Sequence, residues 1–486
     1  MSSLKPLGIL LLILALGAFL RIYGLGAESF WFDEIMSIYF AKGDIDSIIN
    51  PPSYEVHIPP LYYILLHFWI QFFGTSEFAA RLLSAIFGIF SIPVLYKLGK
   101  TLFDYESGLY GALILAISMF HIKFCQEARM YSLLTFTTLI SMLLFVKSLK
   151  EDKLKFWIGY VIGSVLMLYS HLYGFFILLF QNIFFILYWK RKIVRAYFLA
   201  QLAIFLLFLP WLSKILKAAH NILGPNSPIA WIPRPSLISL GMMFFEFSNS
   251  SMISLILFGS LSIIGIMKGF GKRLVEGLPH YSLENLKKVT ASPLTGNSFG
   301  IVFCILWISI PTALSVMASL ALRPIYLPKY LIIVSPAFYL LVAKGLTSLG
   351  RSRVQDILLL IILFDSLFAV TVHHYGVVEN EQWREAARYI EENAGQRDLI
   401  IVNPSWATIS FNYYFKGSNE VKGLSSSASL KEIVYNNQSR NVWLILLTHG
   451  TSVSEEPIRR ELEKTHMLAL EKEYYGIKIY YYLPKV

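Results

Sequence analysis

Apolar runs of about twenty residues, the length that carries a helix across a bilayer, recur along this sequence as far as residue 372. A chain with many such runs has few options. Within hydrocarbon every backbone N–H and C=O needs a partner in the protein, so only helices and closed barrels span membranes. Barrel strands alternate apolar and polar residues over short segments, and that alternation is not found here. The runs therefore predict a polytopic α-helical membrane protein. Composition agrees: 56% of the 486 residues are apolar and 15% are charged, against about a quarter charged in ordinary soluble domains.

The charge distribution sets the threading. A net charge of +11 is compatible with nucleic-acid binding in a soluble protein, but here the excess sits in short clusters between apolar runs, as in cytoplasmic loops. Nucleic acid is therefore not an expected partner; the bilayer is. With the N-terminus inside, about eleven spans follow. They are Leu7–Leu20 (read as a retained span rather than a cleaved signal), Leu82–Tyr96, Ser107–Phe124, Leu133–Val146, Phe156–Tyr169, Phe175–Tyr188, Ala196–Leu209, Met252–Met267, Phe299–Ala318, Tyr330–Leu346 and Ile357–Val372. Each expected inner loop carries Lys or Arg: Lys97 and Lys100, Lys147 to Lys155, Lys190 to Arg195, Lys268 to Lys288, and Arg351 with Arg353. Ile58–Phe73 is also apolar, but counting it as a span inverts this pattern. It is read as an interfacial or re-entrant helix. Cys125 and Cys304 lie in or beside apolar runs and form no disulfide or metal framework.

Two regions result: a membrane domain over residues 1–372, with a long outer loop at 21–81, and residues 373–486, where charges become frequent. The second region reads as a small extracytoplasmic α/β domain. Helices are expected at Glu381–Asn393 and Glu455–Lys464, buried strands at Asp398–Val402 and Val442–Leu447, a final strand at Ile477–Leu483, and a loop at Ser425–Ser429.

Polar groups that this threading gathers at one membrane face are the candidates for chemistry. Asp33 and Glu34 follow Ser29-Phe30-Trp31-Phe32 on the outer side. His57 precedes Ile58-Pro59-Pro60-Leu61-Tyr62-Tyr63. Gln126-Glu127-Ala128-Arg129-Met130-Tyr131 follows the third span, Ser170-His171-Leu172-Tyr173 the fifth, and Arg323 to Tyr330 joins the ninth to the tenth. A carboxylate such as Asp33 can take a proton from an acceptor hydroxyl or amine. Arg129, Arg323 and Lys329 lie on the side where positive charge is not favoured, placed to hold an anionic lipid phosphate; snorkelling to headgroups is the bland alternative. Glu127 can pair with or orient Arg129. His57 and His171 serve equally well as hydrogen-bonding residues, and no spacing among them makes a metal site. No glycine-rich phosphate loop for a soluble nucleotide sugar is present.

The Asp33-Glu34 pair after the first span, the His57 to Tyr63 motif, the stretch Phe73 to Gly88, Gln126 to Tyr131 and Trp383 to Ile390 together resemble the GT-C class of membrane glycosyltransferases. More narrowly they resemble dolichyl-phosphate-mannose–protein mannosyltransferases and lipid A aminoarabinose transferases. The resemblance implies an inverting transfer of a sugar from a polyprenyl or dolichyl monophosphate to an acceptor at the outer face. It implies Asp33 as base with Glu34 in support, and Arg129 and, more loosely, Lys329 on the donor phosphate. The reading of the residues themselves adds Arg323 to the phosphate group and His57, Glu127, Tyr131 and His171 as substrate-binding or supporting residues. The resemblance fixes no cofactor and leaves a divalent metal open, although relatives often carry an Asp shortly after the second-loop Arg, where this chain has Met130-Tyr131. Lys329 stands where many relatives have Arg. A prokaryotic cell membrane is the expected location. The alternatives are a lipid-linked sugar flippase or transporter, for which Glu246 and Asp365 are the internal ionisable candidates, and a polysaccharide polymerase or ligase.

Overall fold

The computed structural model describes residues 6–53, 55–188, 190–224, 227, 229–276, 296–425, 427–448 and 455–485. The expected inner-loop residues Lys287 and Lys288 lie outside these.

Every expected span falls on a helix. Among the described residues, seven helices are long and apolar enough to cross a membrane, from Glu77–Leu102 to Arg353–His374. Tyr105–Ile117 and Met119–Cys125 form an eighth span if taken as one, bent by 60°. The other expected spans are shorter helices, Pro6–Ile22, Leu154–Ser170 and Gly174–Leu187. Lengths alone thus give seven or eight, with three more of marginal length. The interfacial candidate is the 13-residue helix Leu61–Phe73. At 1.5 Å per residue it extends roughly 20 Å, short of a hydrocarbon core of about 30 Å.

The carbonyls at the bend are satisfied from a distant part of the chain. Arg21, expected at the mouth of the first span, is instead fully buried. Its guanidinium donates to the carbonyls of Leu115 and Ala116, each at 2.9 Å, and contacts His121 Nδ1 at 2.8 Å. Carbonyls freed where a helix breaks need a new donor inside a membrane, and Arg21 supplies it. Asp365, in helix Arg353–Phe368, is likewise accounted for: its carboxylate accepts from Ser251 and Ser254 at 2.9 and 2.5 Å.

Helices Met252–Glu276 and Ser335–Ser348 pack through glycine. A Cβ on Gly345 would lie 1.8 Å from the Leu261 carbonyl oxygen, and one on Gly265 would lie 2.9 Å from Gly345 N. Small residues permit such backbone approach where there is no hydrophobic drive between helices. Gly345→Ala is expected to destabilise the protein by about 1–3 kcal/mol through overpacking; thermal unfolding in detergent measures it, and an unchanged transition would mean that the helices separate freely.

The C-terminal region is a five-stranded sheet, β1 (Leu399–Asn403), β2 (Glu420–Gly423), β3 (Val442–Leu447), β4 (His466–Tyr474) and β5 (Ile477–Pro484), in the order β2-β1-β3-β5-β4. β1 is parallel to β2 and β3, and β5 is antiparallel to β3 and β4. The two central strands are buried throughout, so both faces must be covered. Ile400 and Val402 pack towards Trp383, Ala387 and Phe411; Leu399 and Ile401 pack towards Leu430, Ile458 and Leu462. The edge strands β2 and β4 were not expected. β4 carries Glu471, Lys472 and Glu473 on a largely exposed surface, so its sequence has no apolar period. Part of the expected serine loop is also helical, since a helix runs over Ser427–Tyr435.

Candidate active site

Within the outer loop foreseen at 21–81, residues Phe32–Lys42 form a helix with Asp33 and Glu34 in its first turn, where the helix dipole favours carboxylates. The two acids face different surroundings. Glu34 is fully buried and grips Arg81 through both oxygens, at 2.8 Å to Nε and 2.7 Å to Nη2. The Ala128 N–H donates to the same carboxylate at 2.7 Å. Arg81 spends its other donors on the carbonyls of Leu25, Glu28 and Ser29. Glu34 therefore stitches together three segments: the chain after the first helix, the start of helix Glu77–Leu102, and the connection carrying Gln126 to Met130.

Asp33 keeps 32% of its side chain exposed and faces the buried Arg129, Oδ2 to Nη2 at 3.5 Å. Arg129 Nη1 also donates to the Asp33 carbonyl at 3.2 Å, to Ser37 Oγ at 3.3 Å and to Tyr63 Oη at 3.4 Å. Its backbone is pinned too, because Ser84 Oγ donates to the Arg129 carbonyl and contacts the Tyr62 hydroxyl. Glu55 belongs to this neighbourhood. Burial pushes its carboxyl above the ordinary range, Arg129 pulls it down, and Asp33 adds to the rise.

Lys329 stands beside this pair inside a ring of aromatic faces. Its Nζ lies 5.5 Å from the Trp31 centroid, 5.8 Å from Tyr131, 5.6 Å from Trp231 and 5.7 Å from Tyr330. Such faces attract a cation without consuming its N–H donors. His171 packs on Tyr330 at 5.1 Å and Tyr131 at 6.4 Å. Burial, reinforced by the positive charge of Arg129, His57 and Lys329, pushes its imidazole down to about 3. It is therefore a neutral hydrogen-bonding ring, and its Nδ1 accepts from the Tyr173 N–H at 3.1 Å.

Trp31, Lys329, Glu127, Lys123 and Glu246 line a cavity of about 620 Å³ whose remaining wall includes the apolar Phe120, Phe124 and Leu327. Two of its polar groups are buried without a hydrogen-bond partner, Glu127 Oε2 and Trp31 Nε1. Burial pushes the Glu127 carboxyl up to about 7, opposed chiefly by Lys329. Among the described residues no group of three or more His, Cys, Asp or Glu is arranged to hold a metal ion.

The structure thus gathers Asp33, Arg129, Lys329, Glu127, Tyr131 and His171 from loops scattered over some three hundred residues of sequence. His57 lies close enough to His171 to influence it electrostatically. Glu34 stands behind the site rather than in it, and Arg323 donates to the Gly224 carbonyl. Sequence reasoning did not single out Arg81, Tyr63, Glu55 or Trp231. Arg81 and Tyr63 sit inside motifs that were read, and an arginine at the start of a span is itself a signal. Trp231 lies in a stretch without a periodic pattern, and only the fold brings it to Lys329.

A family model described as dolichyl-phosphate-mannose-protein mannosyltransferase matches residues 57–213. Among solved structures, the chain is similar to ArnT from Cupriavidus metallidurans bound to undecaprenyl phosphate, with a TM-score of 0.59 and 11% identity, over 97% of each chain. It is similar to the oligosaccharyltransferase of Archaeoglobus fulgidus, solved with Zn and sulfate, with a TM-score of 0.56 and 13% identity, over 98% of this chain and 73% of that one. It also matches the arabinofuranosyltransferase AftD from Mycobacteria, with a TM-score of 0.53 and 12% identity, over 98% of this chain and 40% of that one. No curated protein is matched by sequence. The family model over residues 57–213 and the shared fold over nearly the whole chain together bear out the resemblance read from the motifs, which is to the GT-C membrane glycosyltransferases.

Proposed function

We propose that this integral membrane protein is an inverting glycosyltransferase that takes a sugar from a polyprenyl or dolichyl monophosphate and delivers it to an acceptor at the outer face of the membrane. The observation that carries this reading is the Asp33–Arg129 pair beside the aromatic-ringed Lys329. As the bond from sugar to phosphate breaks, negative charge builds on the phosphate, and fixed cations stabilise it most in a site with little water. Arg129 and Lys329 are such cations. Asp33 takes the proton of the acceptor nucleophile, which attacks the anomeric carbon opposite the departing phosphate. Glu34 acts through the fold, holding the helix that presents Asp33. The C-terminal domain lies on the same outer side as Asp33, and the membrane is that of a prokaryotic cell. The undecaprenyl phosphate in the ArnT structure supports a polyprenyl carrier here.

Purified protein in vesicles, given labelled polyprenyl-phosphate sugar and a mixture of membrane acceptors, tests the reading. Label joined covalently to an acceptor supports it. Lipid-linked sugar that crosses the bilayer unchanged, with no transfer, replaces it with a flippase.

Glu127 supplies a pH test. Below about 7 its carboxyl is protonated and Lys329 keeps its full effect on a phosphate; above that, the new carboxylate offsets Lys329. The apparent KM for donor is expected to rise as pH passes upward through about 7, and Glu127→Gln is expected to flatten that rise. The same inflection in the variant would assign the titration to another group.

A further inference from the structure

The C-terminal domain touches the Asp33 segment at several points that the chemistry above does not use. Trp406, just past the end of β1, packs edge-to-face on Phe32, the residue before Asp33, with centroids 4.8 Å apart. On helix Thr408–Tyr414, the Tyr414 hydroxyl accepts from the Phe30 N–H at 2.7 Å and donates to Glu77 at 3.0 Å. Tyr413 packs edge-to-face on Phe30 at 5.8 Å and donates to the Thr75 carbonyl at 2.9 Å. Ser29 donates to the Glu381 carbonyl at 2.7 Å.

These contacts converge on residues 29–32, the run that leads into the helix bearing Asp33. From the membrane side the same run is held by Arg81, which takes the Ser29 carbonyl at 3.0 Å. Beyond Asp33, the helix is held by Ser37 and Arg129. The stretch immediately before the base therefore owes its position in large part to a different domain. Buried N–H groups such as that of Phe30 must find an acceptor, and here the acceptor is Tyr414. A carboxylate acting as base must meet its proton within hydrogen-bond reach, so a displacement of about 1 Å is enough to cost roughly 100-fold in rate.

We propose that Trp406 and Tyr414 are positioning residues for Asp33, so that the C-terminal domain is a working part of the active site and sets the placement of the base through Phe32 and Phe30. The kinetic half of this inference rests on the transferase reading; the mechanical half does not. Losing either contact frees the start of helix Phe32–Lys42, whereas Arg129 keeps Tyr63 and Lys329 keeps Tyr131, Trp231 and Tyr330 as neighbours outside it. Donor binding therefore persists as turnover falls.

The test uses the full-length protein in nanodiscs, with Trp406→Ala, Trp406→Phe, Tyr414→Phe and, as a control, Asp398→Asn. Asp398 is buried in the sheet domain, accepting from Trp443 Nε1 at 3.0 Å and Asn441 Nδ2 at 2.9 Å, so its variant loosens that domain without touching the Asp33 helix. Amide exchange over residues 30–37 is expected to quicken about 10-fold in Trp406→Ala and Tyr414→Phe, in line with one lost contact of ordinary strength. Exchange over Tyr131–Glu151 should not change. In the same variants kcat is expected to fall roughly 10- to 100-fold with donor KM within about twofold. Trp406→Phe, which keeps an aromatic edge, should recover most of it, and Asp398→Asn should keep the wild-type kcat.

If Trp406→Ala also loses protection in β1 and β3, the single-oxygen change Tyr414→Phe decides the matter. Unchanged exchange over residues 30–37 in that variant overturns the proposal. So does an unchanged kcat, or an equal loss in Asp398→Asn. Should wild type and Asp33→Asn both fail to transfer sugar, the transferase reading is lost, and the exchange data still decide the mechanical half.

Discussion

Asp33→Asn is expected to abolish sugar transfer, by about 100- to 10,000-fold, the range that a positioned base contributes, while leaving the fold intact. The amide keeps the size of the carboxylate and loses only its proton-accepting charge. The partly exposed side chain makes one long ion pair, 3.5 Å to Arg129, so little folding energy depends on it. Arg129 retains Ser37, Tyr63 and the Asp33 carbonyl as partners and remains available to the phosphate. The signature should be a collapse of kcat with donor binding largely preserved. Transfer from labelled polyprenyl-phosphate sugar, alongside a thermal-unfolding control, measures both. A variant that folds normally and transfers sugar at the wild-type rate would remove Asp33 from the role of base.

Arg81→Met is expected to have the largest effect on stability. The Arg81–Glu34 pair is buried on both sides, with 4% and 0% of the side chains exposed. Removing one partner from such a pair costs about 3–5 kcal/mol, because the other charge is left without compensation in a medium that cannot solvate it. Three carbonyls, those of Leu25, Glu28 and Ser29, lose their donor as well. Reduced yield of folded protein and a markedly lower unfolding temperature should follow. Removing the stranded charge with Glu34→Leu in the same chain should restore part of the loss, since apolar replacement of a whole buried pair is often close to neutral. If Arg81→Met unfolds as the wild type does, the pair is incidental. If the double variant is as unstable as the single one, the lost carbonyl contacts rather than the stranded charge account for the effect.

The two experiments separate neighbours that look alike in sequence. Asp33 and Glu34 are adjacent acids at one membrane face, and in the sequence only the family resemblance gives them different duties; composition and spacing do not. A helical rotation of about 100° between successive residues turns one towards Arg129 and the partly open site and the other towards Arg81 and the interior. Which acid faces which arginine depends on how helix Phe32–Lys42 is seated, and that is set by residues far away in the chain: Arg81, Ala128 and the tyrosines at 413 and 414.

By itself the sequence determined that the chain is a polytopic α-helical membrane protein, because span-length apolar runs are a local signal imposed by the solvent. It determined the central strands β1 and β3 for a similar reason: both faces are buried, so every residue but Asn403 at the end of β1 is apolar. It also pointed to the loops that hold Asp33, Glu127, Arg129, His171 and Lys329. The tertiary structure alone decided the rest. Edge strands β2 and β4 are largely exposed or half-buried and owe their form to pairing with a neighbour rather than to burial. Arg21 read as a boundary charge, yet its partners are carbonyls nearly a hundred residues away at a bend that no local period announces. The ring around Lys329 combines Trp31, Tyr131, Trp231 and Tyr330, each unremarkable where it stands in a sequence rich in aromatics. Local patterns record what each segment must be shielded from; only the packed chain records which segments shield one another.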